Sequence, residues 1–345
     1  MSGADASRPQ PPPEVVAFYG LGLEEQRLDE GKGKLERWRT QELLARYLPP
    51  QPAVVLDVGG GTGHYSVWLA QRGYSVHLID PVPLHVEQAR ARSAAQPDAQ
   101  LASIAQGDAR RLHWGAGQVD AVLLLGPLYH LTTREERLDC LREAWRVLRP
   151  GGTLIAVVIS RFASTLDGLV NHLFADPRYA PIAWQDLRNG QHRGLDGKYF
   201  TTAYLHHPAE LEPELFEAGF RDTRVLAIEG PGWLLQDFQA QWADANLRET
   251  ILEVVRRTEA EPSLLGASSH LMAIGRKPSD ARPSSGGDGR ALVVGHDPSD
   301  LETSGAPGPP PSVATDASDG AVRPRACAWR GNAGITHLGV RWRSR

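Results

Sequence analysis

One stretch constrains this chain more than any other: the apolar run Val55-Leu56-Asp57-Val58 passes without a break into Gly59-Gly60-Gly61-Thr62-Gly63. A helical pattern, His64–Arg72, follows at once. Gly59, Gly61 and Gly63 remove side chains where a strand must turn into a helix. The backbone amides at the start of that helix are then open to a ligand. A glycine loop alone also fits a plain tight turn. Its place between an apolar strand and a helix is the context in which such a loop binds something.

The rest of the chain repeats this alternation. Strand-like runs occur at Ala53–Val58, Ser75–Ile79, Leu101–Ala105, Val119–Leu125 and Thr153–Ile159, with helical stretches at His64–Arg72, Pro83–Ser93 and Arg134–Leu148 between them. Pro150-Gly151-Gly152 reads as the stop of the third helix, directly before the fifth strand. Apolar strands separated by amphipathic helices build a doubly wound α/β sheet covered on both faces. Hydrophobic residues at 41% and charged residues at 23% are enough for a sizeable core.

Asp80 ends the second strand, where an acid in such a sheet accepts hydrogen bonds from the ribose hydroxyls of a nucleoside cofactor. An NAD(P)-binding oxidoreductase shares that feature. Its fingerprint is G-x-G-x-x-G, whereas the glycines here fall at 59, 61 and 63 and position 64 is His. The glycine spacing therefore separates the two readings.

The segment Asp57-Val58-Gly59-Gly60-Gly61-Thr62-Gly63 resembles the acidic-x-Gly-x-Gly-x-Gly loop of the class I S-adenosylmethionine-dependent methyltransferases. Four further segments resemble that family in order and spacing: Asp80, Gly107-Asp108-Ala109, Leu125-Gly126-Pro127-Leu128-Tyr129-His130 and Leu148-Arg149-Pro150-Gly151-Gly152. The resemblance covers roughly residues 36–160 and, more loosely, two late strands at Phe220–Ile228 and Ser269–Arg276. It implies a Rossmann-like seven-stranded sheet with an antiparallel last strand. It also implies S-adenosyl-L-methionine as cofactor and methyl transfer to an O, N or C atom of a small-molecule acceptor. In the family, Asp57, Gly59, Gly61 and Gly63 would face the methionine end, Asp80 the ribose, and Asp108 and Ala109 the adenine, with Leu125, after the fourth strand, also binding the cofactor. Each acid has a local alternative: Asp57 and Asp108 as loop or turn caps, Asp80 as a turn initiator before Pro81. A non-catalytic protein that binds the same cofactor would keep the loop and lose the acceptor pocket.

Methyl transfer from a sulfonium is an in-line displacement, so the protein mainly aligns the reactants in a water-poor pocket. A base helps only where the acceptor loses a proton. His130 and its neighbour Tyr129 are the candidate catalytic residues. Tyr19 and Arg27, on an N-terminal cap helix, and His206 and His207, in an insertion near 160–207, are candidate substrate contacts. A second helical insertion near 233–261 is expected over the active site. The Asn-Pro-Pro-Tyr motif of family members that methylate amino groups of bases is replaced by Gly126-Pro127-Leu128-Tyr129.

The formal net charge of -4 gives no overall attraction to nucleic acid or anionic lipid. No apolar run approaches the ~20 residues of a membrane span, and residues 1–13 hold no apolar leader segment. Cys140 and Cys327 stand in no metal-ligand spacing. A cytoplasmic enzyme without a metal site is expected, folded over 14–278, with a disordered lead at 1–13 and a disordered tail at 279–345 whose end is Arg-rich.

Overall fold

The computed structural model describes residues 12–22, 24–195 and 198–279. The expected lead lies outside them except for Pro12 and Pro13, and the expected tail except for Ser279. Within the described residues no helix is long and apolar enough to cross a membrane.

Five strands follow the expected order: β1 (Val54–Val58), β2 (Ser75–Asp80), β3 (Ser103–Gln106), β4 (Val119–Leu124) and β5 (Leu148–Ile159). A two-stranded pair, β6 (Gln191–His192) and β7 (Ala203–Tyr204), stands apart, and β8 (Arg221–Ala227) and β9 (His270–Arg276) complete the main sheet. That sheet has seven strands in the order β3-β2-β1-β4-β5-β9-β8. The first five run parallel, and β9 is antiparallel to both β5 and β8. This is the Rossmann-like arrangement with an antiparallel strand near its end that the resemblance implies.

The expected start of the fifth strand at Thr153 needs correction. β5 begins at Leu148, paired with Val119, and its register shifts before Thr153 meets Ala121. Pro150 has no N–H to give, and Gly151 sits at φ 78 with its N–H on the Lys277 carbonyl. The turn signal is thus an irregularity inside a strand.

Each face of the sheet carries its own core. On one side α3 (Gly33–Tyr47), α4 (His64–Ala70) and α5 (Pro83–Ala94) bring Leu43, Leu44, Val67, Leu69 and Ala89 against Val55, Val76, Leu78 and Leu123. On the other, α7 (Arg134–Val147) and α10 (Pro208–Glu217) bring Leu141, Ala144 and Leu215 against Leu56, Val122 and Leu154. Thr133 and Glu136 close a capping box at the start of α7. The parallel strands therefore end at a common edge, where the loops after β1, β2, β3 and β4 meet.

Arg137 of α7 is locked to Glu214 of α10, both almost fully buried, with guanidinium bonds of 2.7–3.2 Å and a further bond to the Leu131 carbonyl. Removing one member of a buried pair strands the other charge. Arg137→Ala should lower the unfolding free energy by about 3–5 kcal/mol in urea denaturation. A loss below about 1 kcal/mol would show that the pair does not hold the two helices.

Candidate active site

A cleft opens at the carboxyl end of the parallel strands, lined by the 57–62 loop, Asp80–Val82, Gly107–Arg110 and Leu125–Pro127 with Tyr129–Leu131. An N-terminal strap covers it with Val15 and Tyr19 of α1 (Pro13–Tyr19), Glu24 and Arg27 of α2 (Glu24–Arg27), and Leu28.

The loop conformation explains its glycines. Gly59 sits at φ 69 and packs so closely that a Cβ there would lie 2.6 Å from Pro127 Cγ. Gly60 has no room either, since a Cβ would meet Leu78 and the Asp57 carboxylate within 2.9 Å. Gly63, at φ 80, is the cap of α4 and faces Ala89; it shapes the turn without lining the cleft. The loop is pinned from the neighbouring strand by Gly59 N–H to Ile79 O (2.7 Å) and Gly61 N–H to Asp80 Oδ2 (2.8 Å).

Asp57 is buried. Ser66 Oγ donates to its Oδ2 at 2.6 Å, while Oδ1 has no partner. Burial, opposed by the Ser66 bond, pushes its pKa up to about 6. Asp80 is also buried, and besides Gly61 it accepts from Val82 N–H (2.9 Å) and His85 Nδ1 (3.1 Å). Asp108 takes three bonds from Arg110, one from its backbone and two from its guanidinium, so the turn role and the cleft position coincide. Ala109 and Leu125 also line the cleft.

Tyr19 and Arg27 both reach the cleft from the strap. Arg27 is clamped by Glu24 through Nε (2.8 Å) and by both oxygens of Glu36. Behind Glu36, His270 is held by Glu229 at 2.6 Å. Glu36, Glu229 and His270 are close enough to gather round a metal ion. Arg27 occupies the Glu36 oxygens, however, and Glu229 is taken up by His270 and Ser268, so the cluster works as a brace for Arg27.

Tyr19 Oη and His130 Nε2 are 2.8 Å apart. His130 Nδ1 lies 3.3 Å from the Thr202 carbonyl, which can only accept, so the proton is on Nδ1 and Nε2 accepts from the tyrosine. Burial pulls the His130 pKa down to about 4, so its ring is neutral at physiological pH. Tyr129 packs edge-on to the same imidazole at 4.6 Å, and burial raises its hydroxyl pKa.

Two expectations fail here. His206 is fully buried behind the β5 end, with Ile159 and Arg161 on its backbone and Tyr204 against its ring. His207 caps α10 by accepting from Ala209 N–H. Neither lines the cleft, nor does any other described residue of 160–207. That insertion instead grips the strap: Phe200 packs on Phe18 and His130, and Thr202 Oγ1 donates to Glu14 at 2.9 Å. The 233–261 segment likewise misses the cleft, because Phe238, Trp242, Ile251 and Leu252 pack on Leu35 of α3. His85 lines the cleft and escaped the sequence reading. The available signal was its spacing: five residues after Asp80 and in the first turn of α5, it is carried back toward the strand end.

A family model described as a methyltransferase domain matches residues 55–152. The chain is 34% identical over 140 residues to a demethylmenaquinone methyltransferase of Deinococcus radiodurans, covering 40% of this chain and 55% of that protein. It is 32% identical over 133 residues to a ubiquinone/menaquinone biosynthesis C-methyltransferase of a Ruegeria species, covering 37% and 51%. The chain thus spans about half the length of the curated relatives it matches. Among solved structures, the PH0226 protein of Pyrococcus horikoshii superposes with a TM-score of 0.50 at 16% identity, over 76% of this chain and 98% of that one, a likeness of fold alone. Residues 55–152 therefore carry a match to a methyltransferase domain, within the strands and loops that build the cleft.

The raised pKa of Asp57 has a measurable consequence. With its folded pKa near 6 above the ordinary 3.8, the acid contributes stability fully below about pH 4 and loses it as pH rises through 6. At pH 8 the buried carboxylate costs on the order of 3 kcal/mol. Asp57→Asn should therefore stabilise the ligand-free protein in urea denaturation at pH 8, with the gain shrinking toward pH 4. A gain that does not change with pH would contradict the assignment.

Proposed function

We propose that this chain is an S-adenosylmethionine-dependent methyltransferase that acts on a small molecule. The observation that carries the reading is the unpaired, buried Oδ1 of Asp57 beside the glycine bend: a buried carboxylate oxygen without a partner, on a residue that lines the cleft, matches an ammonium group. Asp57 would hold the amino end of the methionine moiety. The 59–61 backbone would lie along it, Asp80 would take the ribose, and the Asp108–Ala109 and Leu125 walls would flank the base. Bound there, S-adenosylmethionine supplies an electrophilic methyl group. The glycine spacing, with His64 where a dinucleotide fingerprint has its third glycine, speaks against an NAD(P) site.

The strap and His130 define the acceptor side. Val15, Leu28, Leu131 and the Tyr19 and Tyr129 rings give a mostly apolar wall that excludes water. The names of the two curated relatives add weight to an aromatic acceptor of quinol or phenol type. An acceptor hydroxyl reaching Tyr19 would pass its proton to the tyrosine oxygen as the tyrosine passes its own to His130 Nε2. The neutral imidazole, with Nδ1–H fixed on Thr202, presents Nε2 as the acceptor, and its pKa of about 4 makes it a weak base that holds the proton only while the methyl group is transferred.

Incubation with methyl-labelled S-adenosylmethionine and a panel of hydroquinones, phenols and amines should give labelled product from at least one ring acceptor. Binding of S-adenosylhomocysteine without methyl release from any of them would leave a cofactor-binding protein, not a methyltransferase. Asp80→Ala should weaken S-adenosylhomocysteine binding by about 1–3 kcal/mol in calorimetry. Unchanged affinity in a folded variant would remove Asp80 from the site. For an acceptor that loses a proton, His130→Ala should lower kcat by about 10²–10⁴. A variant as fast as the parent would reduce His130 to a clasp for the strap.

A further inference from the structure

The hydrogen-bonding capacity of Asp80 is nearly spent inside the protein. Gly61 N–H, Val82 N–H and His85 Nδ1–H occupy three acceptor positions, and a carboxylate offers about four. A vicinal diol brings two O–H donors, so one of them needs an acceptor other than Asp80.

His85 is placed to supply it. The residue is 4% exposed and lines the same cleft. Its Nδ1 faces an oxygen of Asp80, which accepts, so in the neutral ring the proton sits on Nδ1 and Nε2 presents a bare lone pair. That Nε2 is buried and has no hydrogen-bond partner. The nearest aromatic hydroxyl does not serve it: the Tyr19 ring lies edge-on to His85 at 5.3 Å, but its hydroxyl is bonded to His130. A buried ring nitrogen with no partner, next to an acid with little capacity left, is a site for a donor from outside the protein.

We infer that His85 Nε2 accepts a hydrogen bond from one ribose hydroxyl of the nucleoside cofactor while Asp80 takes the other. His85 is then a binding residue as well as the group that orients Asp80. The inference rests on the cofactor reading above and adds to it a second residue that reads the sugar.

Calorimetry with S-adenosylhomocysteine and its 2′-deoxy and 3′-deoxy analogues separates the two. If the unsubstituted protein binds none of the three, the cofactor reading falls and this inference with it. Where it binds, His85→Asn keeps a donor for Asp80 but lacks the distal nitrogen. It should weaken S-adenosylhomocysteine about tenfold and leave the affinity for one deoxy analogue unchanged. His85→Gln, whose amide reaches the Nε2 position, should recover most of the loss. Unchanged affinity in His85→Asn, or the same loss with all three ligands, overturns the inference. A readout on the unsubstituted protein is independent of folding of the variants: the ¹⁵N signal of His85 Nε2 should move upfield on adding S-adenosylhomocysteine. A signal that stays in place despite saturation also overturns it.

Discussion

The carboxylate of Asp80 is the interaction on which the ligand-facing edge depends. Buried at the end of β2, it draws in the glycine loop through Gly61, its own chain through Val82, and the first turn of α5 through His85. Three elements that would otherwise end independently are thus fixed to one acid. A buried carboxylate is costly unless hydrogen bonds compensate it, and here each donor is also a piece of the cleft wall. The β1–α4 bend is therefore held in shape by the protein's own hydrogen bonds, as a preorganised site requires.

Asp57, near the end of the neighbouring strand β1, is treated in the opposite way. One oxygen is satisfied by Ser66, the other by nothing. Two acids at adjacent strand ends thus divide the work: one builds the bend, and the other is left short of a partner that a cationic ligand can provide. The strap completes the enclosure from the far side. It is tied down by Tyr19 to His130, by Glu14 to Thr202 and by the Phe18–Phe200 contact, all reaching across from segments distant in sequence.

The parts that were legible in the sequence are those governed by local chemistry. A strand followed by Gly59, Gly61 and Gly63 admits few folds, and apart from the start of β5 the expected strands and helices up to Ile159 appear close to their expected limits. The cleft walls at Asp57, Asp80, Ala109 and Leu125 were readable for the same reason, since they lie at strand ends whose order the alternation of elements dictates. Gly151 misled because a left-handed glycine marks a bulge as readily as a turn. His206 and His207 misled because residue type says nothing about direction: one side chain points into the α10 packing and the other onto a helix end. His85, Glu36 and Thr202 carry no motif, and their importance arises only when α5, α3 and the 193–202 loop are brought to the same edge.

The most direct test of the central claim is a crystal structure of the protein with S-adenosylhomocysteine. The account predicts the amino acid end against Asp57 at the glycine bend, the sugar at Asp80, and the base between the Asp108 and Leu125 walls. Ligand density elsewhere in the molecule, or an empty cleft in crystals grown at saturating ligand, would contradict it.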